Sequence, residues 1–342
     1  MPATSKMGRA AAVLVAACAA VSLFVAGWSV TLVAAVPASA DNGPHAMGQG
    51  LTPDTCAICH RAHTGQAPDL LKAPETELCY TCHGAAAAGA STDEVDGVGY
   101  ANRERTGTPG ALRGGGFKYA LIDSAHPSGQ GSEGSDPGGV VPVLGAGAPV
   151  TSAHSVDESS QTDWGNGPVS ADVNDGNAIS LTCGSCHDPH GNGMYRLLRP
   201  IPIESGATTG VEIPEPTEMK GNESKHVYTT ENYWDVEDKY APDFIAKISA
   251  WCALCHTRYL SSTSYTTSGD AVFTDRHISD GTTRGSPSCI QCHVAHGSNA
   301  KAEEAGSFAV HSPQELPAGP GGRLLRIDAR GTCRMCHTEA EE

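Results

Sequence analysis

One pentad, Cys-x-x-Cys-His, occurs six times, and nothing else in the chain constrains its folding as strongly. The copies are Cys56-Ala-Ile-Cys59-His60, Cys79-Tyr-Thr-Cys82-His83, Cys183-Gly-Ser-Cys186-His187, Cys252-Ala-Leu-Cys255-His256, Cys289-Ile-Gln-Cys292-His293 and Cys333-Arg-Met-Cys336-His337. They take up twelve of the 13 cysteines, and Cys18 lies in an apolar N-terminal run. The rest of the sequence offers little for a core. Only 39% of the 342 residues are hydrophobic and 5% aromatic, with 40 glycines and 22 prolines. Such a chain buries too little side-chain area to offset the backbone entropy of its loops, so it needs something to fold around.

The spacing says what that is. In c-type haem attachment, two thiols become thioethers on one porphyrin edge and the adjacent His supplies the proximal iron ligand. Two other uses of paired cysteines compete. Disulfides suit an exported Cys-rich chain but do not require a His after every pair. Zinc ribbons use C-x-x-C, again without six identical trailing histidines. The pattern implies six covalent haem c groups, with His60, His83, His187, His256, His293 and His337 as proximal ligands.

Lys6 and Arg9 precede an apolar stretch over residues 10–36, which ends in the small-x-small site Ala38-Ser39-Ala40. This reads as a secretory signal, with a mature chain starting at Asp41. A retained anchor competes, because the run reaches the ~20 residues of a membrane span. Val15-Ala16-Ala17-Cys18 also resembles a lipoprotein box, but the apolar run continues past it. No second apolar segment could cross a bilayer once the signal is removed, and export places the chain in the periplasm, at the cell surface or outside the cell. The formal net charge of −16 becomes −18 on cleavage. That excludes nucleic acid, whose phosphates need Lys and Arg, and disfavours anionic lipid.

The motifs fall into three couples. The first, third and fifth continue into a second His, as His60-Arg-Ala-His63, His187-Asp-Pro-His190 and His293-Val-Ala-His296; the others do not. Between the members of each couple lies Leu70-Leu71-Lys72, Leu197-Leu198-Arg199 or Leu324-Leu325-Arg326. The chain therefore reads as one unit repeated three times. Its expected division is a signal over 1–40, a first couple over 41–90, a Gly/Ser/Asp-rich connecting region over 91–182, and couples over 183–260 and 261–342. Gly114-Gly115-Gly116 and residues 128–139 read as flexible loop. Short helices are expected around several motifs, as over 246–256.

These motifs and their arrangement resemble the doubled-CXXCH family of multihaem c-type cytochromes. More loosely, the chain is similar to multihaem cytochromes that polymerise into extracellular conductive filaments, a likeness to which Asn42-Gly43-Pro44-His45 adds. The resemblance implies mostly irregular coil with short helices and few strands, built around stacked haems in three doubled repeats. It also implies two His ligands on most irons and electron transfer outside the cytoplasm.

Nine histidines remain for the distal positions. His63, His190 and His296 recur at one place in each unit, and four residues are too few to fold back over the preceding haem. Each is expected at the even motif of its own couple. His45, His154 and His277 lie upstream of the three couples and are expected at the odd motifs, with His126 able to replace His154 and His226 and His311 left over. Met47 and Met194 are the thioether alternatives. An arm carrying His45 could dock on its own haem or on that of the next molecule.

The leading functional reading is an electron carrier or conduit, with redox proteins, an extracellular acceptor or further copies of itself as partners. A multihaem reductase of a small nitrogen or sulfur oxyanion is the second, and it needs an open iron position with acid and base groups beside it. A structural zinc protein is the third.

Overall fold

The computed structural model describes residues 43–45, 53–85, 89–100, 104–105, 110–112, 114–120, 148–163, 165–166, 177–214, 242–258, 288–300 and 323–325. Five short helices carry the five described motifs. They are α1 (Pro53–Cys59), α2 (Glu75–His83), α3 (Cys183–Cys186), α4 (Pro242–Cys252) and α5 (Cys289–Cys292). Each has a local reason to start where it does. Pro53 and Asp54 open α1, and Pro74 precedes α2, whose first turn holds Glu75 and Glu77, charges that suit the helix dipole. Thr182 and Ser185 form a reciprocal capping box on α3.

The strands are two or three residues long. Thr92–Asp93 (β1), Val98–Gly99 (β2) and Gly110–Ala111 (β3) make an antiparallel sheet in the order β1-β2-β3. Tyr119–Ala120 (β4) pairs with Ala148–Pro149 (β5), and Ser160–Thr162 (β7) with Ala178–Ser180 (β8). Ser152–Ala153 (β6) pairs with Gly297–Ser298 (β9), tying the connecting region to the third couple. Short helices and small strands in irregular coil agree with what the resemblance implied.

The apolar material is divided among three small clusters. Val98, Tyr100, Ala111, Ala120 and Ala300 form one, and Val156, Ile179 and Leu181 another. The third packs Phe244, Ile248 and Trp251, one stripe of α4, against Tyr195, Leu198 and Ile213. Phe244 therefore serves this cluster, its ring edge-on to Tyr195 at 5.1 Å. The helix begins at Pro242, four residues before the expected start, because that stripe extends back to Phe244.

Gly114-Gly115-Gly116 is not the flexible loop its composition suggests. Gly115 has φ +74° and bridges Gly297, so a side chain there would run into the Gly297 carbonyl. Gly115 and Gly116 are required by close backbone approach, and Gly114 by the His296 ring against it. Residues 128–139 lie outside the described residues.

Candidate functional site

The third residue before Lys or Arg in each Leu-Leu element decides the geometry of the odd motifs. Asp69 and Leu70, Arg196 and Leu197, and Arg323 and Leu324 are consecutive residues with φ between 50° and 60°. Left-handed pairs of bulky residues are costly and persist only when the surroundings impose them. Here the payoff is visible. The turn lets His60, His187 and His293 form isolated antiparallel bridges with Leu71, Leu198 and Leu325. It also aims a backbone carbonyl at each motif ring: His60 Nδ1 lies 2.8 Å from Asp69 O, His187 Nδ1 2.7 Å from Arg196 O and His293 Nδ1 3.0 Å from Arg323 O. The basic residue that follows closes the other side. Lys72 Nζ donates to Ile58 O at 2.7 Å, and Arg199 Nε to Gly184 O at 2.6 Å, both carbonyls between motif cysteines.

Other imidazoles are held the same way. His45 Nδ1 lies 2.7 Å from Pro189 O, His154 Nδ1 2.7 Å from Ala295 O, and His83 Nδ1 3.1 Å from Thr92 Oγ1. His296 Nδ1 approaches Glu94 Oε2 at 2.9 Å as an ion pair out of hydrogen-bond alignment. A metal-bound His commonly donates its second N–H to a carbonyl or carboxylate, which fixes the tautomer and leaves the first nitrogen for the metal. With Nδ1 engaged, Nε2 is the nitrogen on offer in each ring.

The rings then meet in pairs. Centroids lie 6.1 Å apart for His60–His190, 6.3 Å for His83–His45, 6.3 Å for His187–His296 and 6.1 Å for His256–His154. Every pair joins one motif His to one His outside the motifs. Among the described residues no three of His, Cys, Asp and Glu converge to hold a bare metal ion.

Residues 49–88 match the doubled CXXCH motif family. The match supports a multihaem c-type cytochrome-like family and, with it, haem-binding and electron transfer. No curated protein and no solved structure matches the chain.

The doubled CXXCH motif implies haem c, and the described residues fit that group. Two imidazoles on opposite sides of one metal ion, each with a metal–nitrogen distance of about 2 Å, have centroids about 6 Å apart. Direct stacking brings rings closer, as in the 4.6 Å contact of His296 with Phe117. The ten described cysteines form no disulfide. Burial lowers the His154 and His187 imidazoles to a pKa of about 4, although part of each ring stays open to solvent. The neutral ring, the form that binds a metal, is thus favoured. His83 is lowered by burial too. For His296 burial also works against charge, but Glu94 outweighs it and raises the ring. Burial pushes Glu94 up in turn, yet His296 and His83 hold it down at about 2.

The pairing differs from the one expected from spacing. His190 and His296 face the odd motif of the preceding couple, and not the even motif of their own. His45 and His154 face the even motifs, at His83 and His256, and not the odd ones. The isolated His–Leu bridge fixes the course of the chain past the odd motifs, and His190 and His296 lie toward the preceding couple. His63 is exposed and has no ring partner among the described residues. Met194 is fixed by its backbone bridge to Pro214. Cys333, Cys336, His337, His277, His126, His226, His311 and Met47 lie outside the described residues. Among the described residues no helix is long and apolar enough to cross a membrane.

Sequence reasoning missed the acceptors that orient the rings. A backbone carbonyl has no residue-type signature. Thr92 and Glu94 sit just past the second motif, where no pattern marks them, and Glu94 meets a ring two couples further on.

Proposed function

We propose that the chain is an extracytoplasmic hexahaem c-type cytochrome that carries electrons from haem to haem, with three doubled-CXXCH repeats arranged around stacked haems. The observation that carries this is the set of four imidazole pairs, each joining one motif His to one non-motif His at about 6 Å. When bound, haem supplies the one-electron iron couple. The protein supplies ligation, orientation and spacing. We assign His190 opposite His60, His45 opposite His83, His296 opposite His187 and His154 opposite His256. His293 and His337 serve as the remaining proximal ligands, and the cysteines of all six motifs as attachment points. Two His ligands close an iron to substrate and favour low potential, which suits a carrier exchanging electrons with redox proteins or an extracellular acceptor.

Counting haems and recording oxidised and reduced spectra with and without CO tests this on protein matured with haem-attachment machinery. Six covalent haems are expected, at least four of them low-spin and indifferent to CO. CO binding at any of the four paired irons would favour the reductase reading, and absence of covalent haem would overturn the proposal.

A further inference from the structure

The four imidazole pairs share one separation but differ in how their planes cross. His60 and His190 lie within 11° of parallel, His83 and His45 at 34°, His256 and His154 at 47°, and His187 and His296 at 67°. The first and last of these occupy equivalent places in successive repeats. Their motif rings are held alike, with Nδ1 2.8 Å from Asp69 O in one and 2.7 Å from Arg196 O in the other. The difference therefore falls to the second His of each pair.

His190 is largely exposed and is steadied only by its own turn, at Asp188. His296 is enclosed by the connecting region. The Phe117 ring lies flat against its imidazole, with centroids 4.6 Å apart and planes within 24°. Gly114 admits the ring edge, since a Cβ there would stand 3.0 Å from His296 Nδ1. Backbone bonds hold this enclosure in place: His296 N–H donates to Gly114 O at 2.7 Å, Gly116 N–H to Gly297 O at 3.2 Å and Phe117 N–H to Glu94 O at 2.8 Å. Phe117 also packs against the cluster of Val156, Ile179 and Leu181, so the surface it offers the imidazole is anchored. Glu94 Oε2 comes within 2.9 Å of Nδ1 but out of hydrogen-bond alignment, which leaves the flat contact to fix the ring plane.

We propose that Phe117 is a positioning residue: it sets the His296 imidazole across the plane of His187, and so makes the iron between them electronically unlike the iron between His60 and His190. The inference rests on the haem reading above. Outer partners of a metal-bound His orient its ring, and here the partner is an aromatic face. An imidazole interacts with iron through the π system perpendicular to its plane, and so with one of two iron d orbitals. Parallel rings act on the same orbital and separate the two in energy. Crossed rings act on one each and leave them nearly equal, so oxidised low-spin iron keeps more orbital moment and a larger g anisotropy. The repeat alone would make these two irons equivalent carriers. Phe117, from the long insertion, makes them unequal.

Electron paramagnetic resonance of the oxidised, haem-loaded full chain tests this at matched haem counts. His296→Met and His190→Met assign the signals, each removing the one that belongs to its own iron. In the wild type, the signal lost in His296→Met is expected at a larger maximum g than the signal lost in His190→Met. Phe117→Leu and Phe117→Ile keep apolar bulk without the flat face, and are expected to move the His296 signal toward the rhombic form while its iron stays low-spin. Phe117→Tyr keeps the face and should leave the signal in place. Lost packing alone would lower the melting temperature of these variants without moving g. A rhombic His296 signal in the wild type, an unmoved signal in Phe117→Leu and Phe117→Ile, or the same shift in Phe117→Tyr would each overturn this inference and leave the proposed function standing. Absence of covalent haem, or low-spin signals unchanged by His296→Met, would overturn the ligand assignment on which both rest.

Discussion

His190 and His296 hold the same position in their units, yet their surroundings differ. The His190 side chain is 61% exposed and is steadied by its own turn, where its backbone N–H donates to Asp188 Oδ1 at 3.0 Å. The His296 side chain is 19% exposed and wedged between Glu94, Phe117 and Gly114, its backbone N–H donating to Gly114 O at 2.7 Å. The long insertion between the first two couples makes the difference. Instead of forming a domain of its own, part of it folds over the junction between the second and third couples. Imidazole placement is thus a property of the repeat, while burial is a property of what the connecting region covers. Substitutions at the two junctions separate these contributions.

The largest effect is expected at the covered junction. Gly115→Val puts a β-branched residue at φ +74° and drives its side chain into the Gly297 carbonyl. Strain and clash together should cost about 3 kcal/mol or more. Melting of the haem-loaded protein should show the loss, with the iron between His187 and His296 the first to become high-spin. An unchanged melting temperature would mean that the Gly115–Gly297 contact does not hold His296.

Removing the imidazoles themselves comes next. His190→Ala and His296→Ala should each convert one iron to a high-spin, CO-binding form. The two should part in stability, because His296→Ala takes from the Glu94 carboxylate one of the two imidazoles that hold it down, at a further cost of about 1 kcal/mol. His190→Ala also takes an imidazole from a carboxylate, Asp188 at 3.7 Å, but that pair is more exposed and Asp188 keeps the backbone N–H of residue 190. Equal melting temperatures would refute the contrast between the junctions.

The helix caps give a smaller and cleaner comparison. Glu75 accepts from Gly184 N and from Thr182 Oγ1, so Glu75→Ala removes a charged acceptor and should cost about 2 kcal/mol. Ser249→Ala removes a single long hydroxyl contact and should cost about 1 kcal/mol. The sites lie at different junctions, so the double variant should lose the sum, as measured by denaturant titration.

Much of this site could be read from the sequence, and the unread part has a physical reason. The six pentads point to haem attachment because thioether and imidazole chemistry leaves few alternatives for that spacing. The Leu-Leu-basic element was visible as a repeat, but its use in bridging and in presenting a carbonyl depends on a left-handed pair that no residue type announces. The distal pairing could not be deduced from separations along the chain. Leu71 follows His60 by 11 residues and Leu325 follows His293 by 32, yet both loops close the same His–Leu bridge. Loop-closure entropy grows slowly with length, so spacing says little about where a loop returns. The glycines were misread for a related reason, since composition does not distinguish Gly in open loop from Gly where backbones touch.

The smallest effect on the isolated chain is the most informative about its surface. Leu70 is 54% exposed, while its counterparts Leu197 and Leu324 are partly covered. Leu70→Ser should therefore change the stability of the single chain by no more than about 0.5 kcal/mol, the usual range for surface positions. Leu197→Ser, at the partly covered counterpart, should cost about 1 kcal/mol more, because it gives up apolar burial that Leu70 does not have. Denaturant titration of the two haem-loaded variants separates them. Equal losses would mean that the first and second couples do not differ in how their Leu-Leu elements are covered.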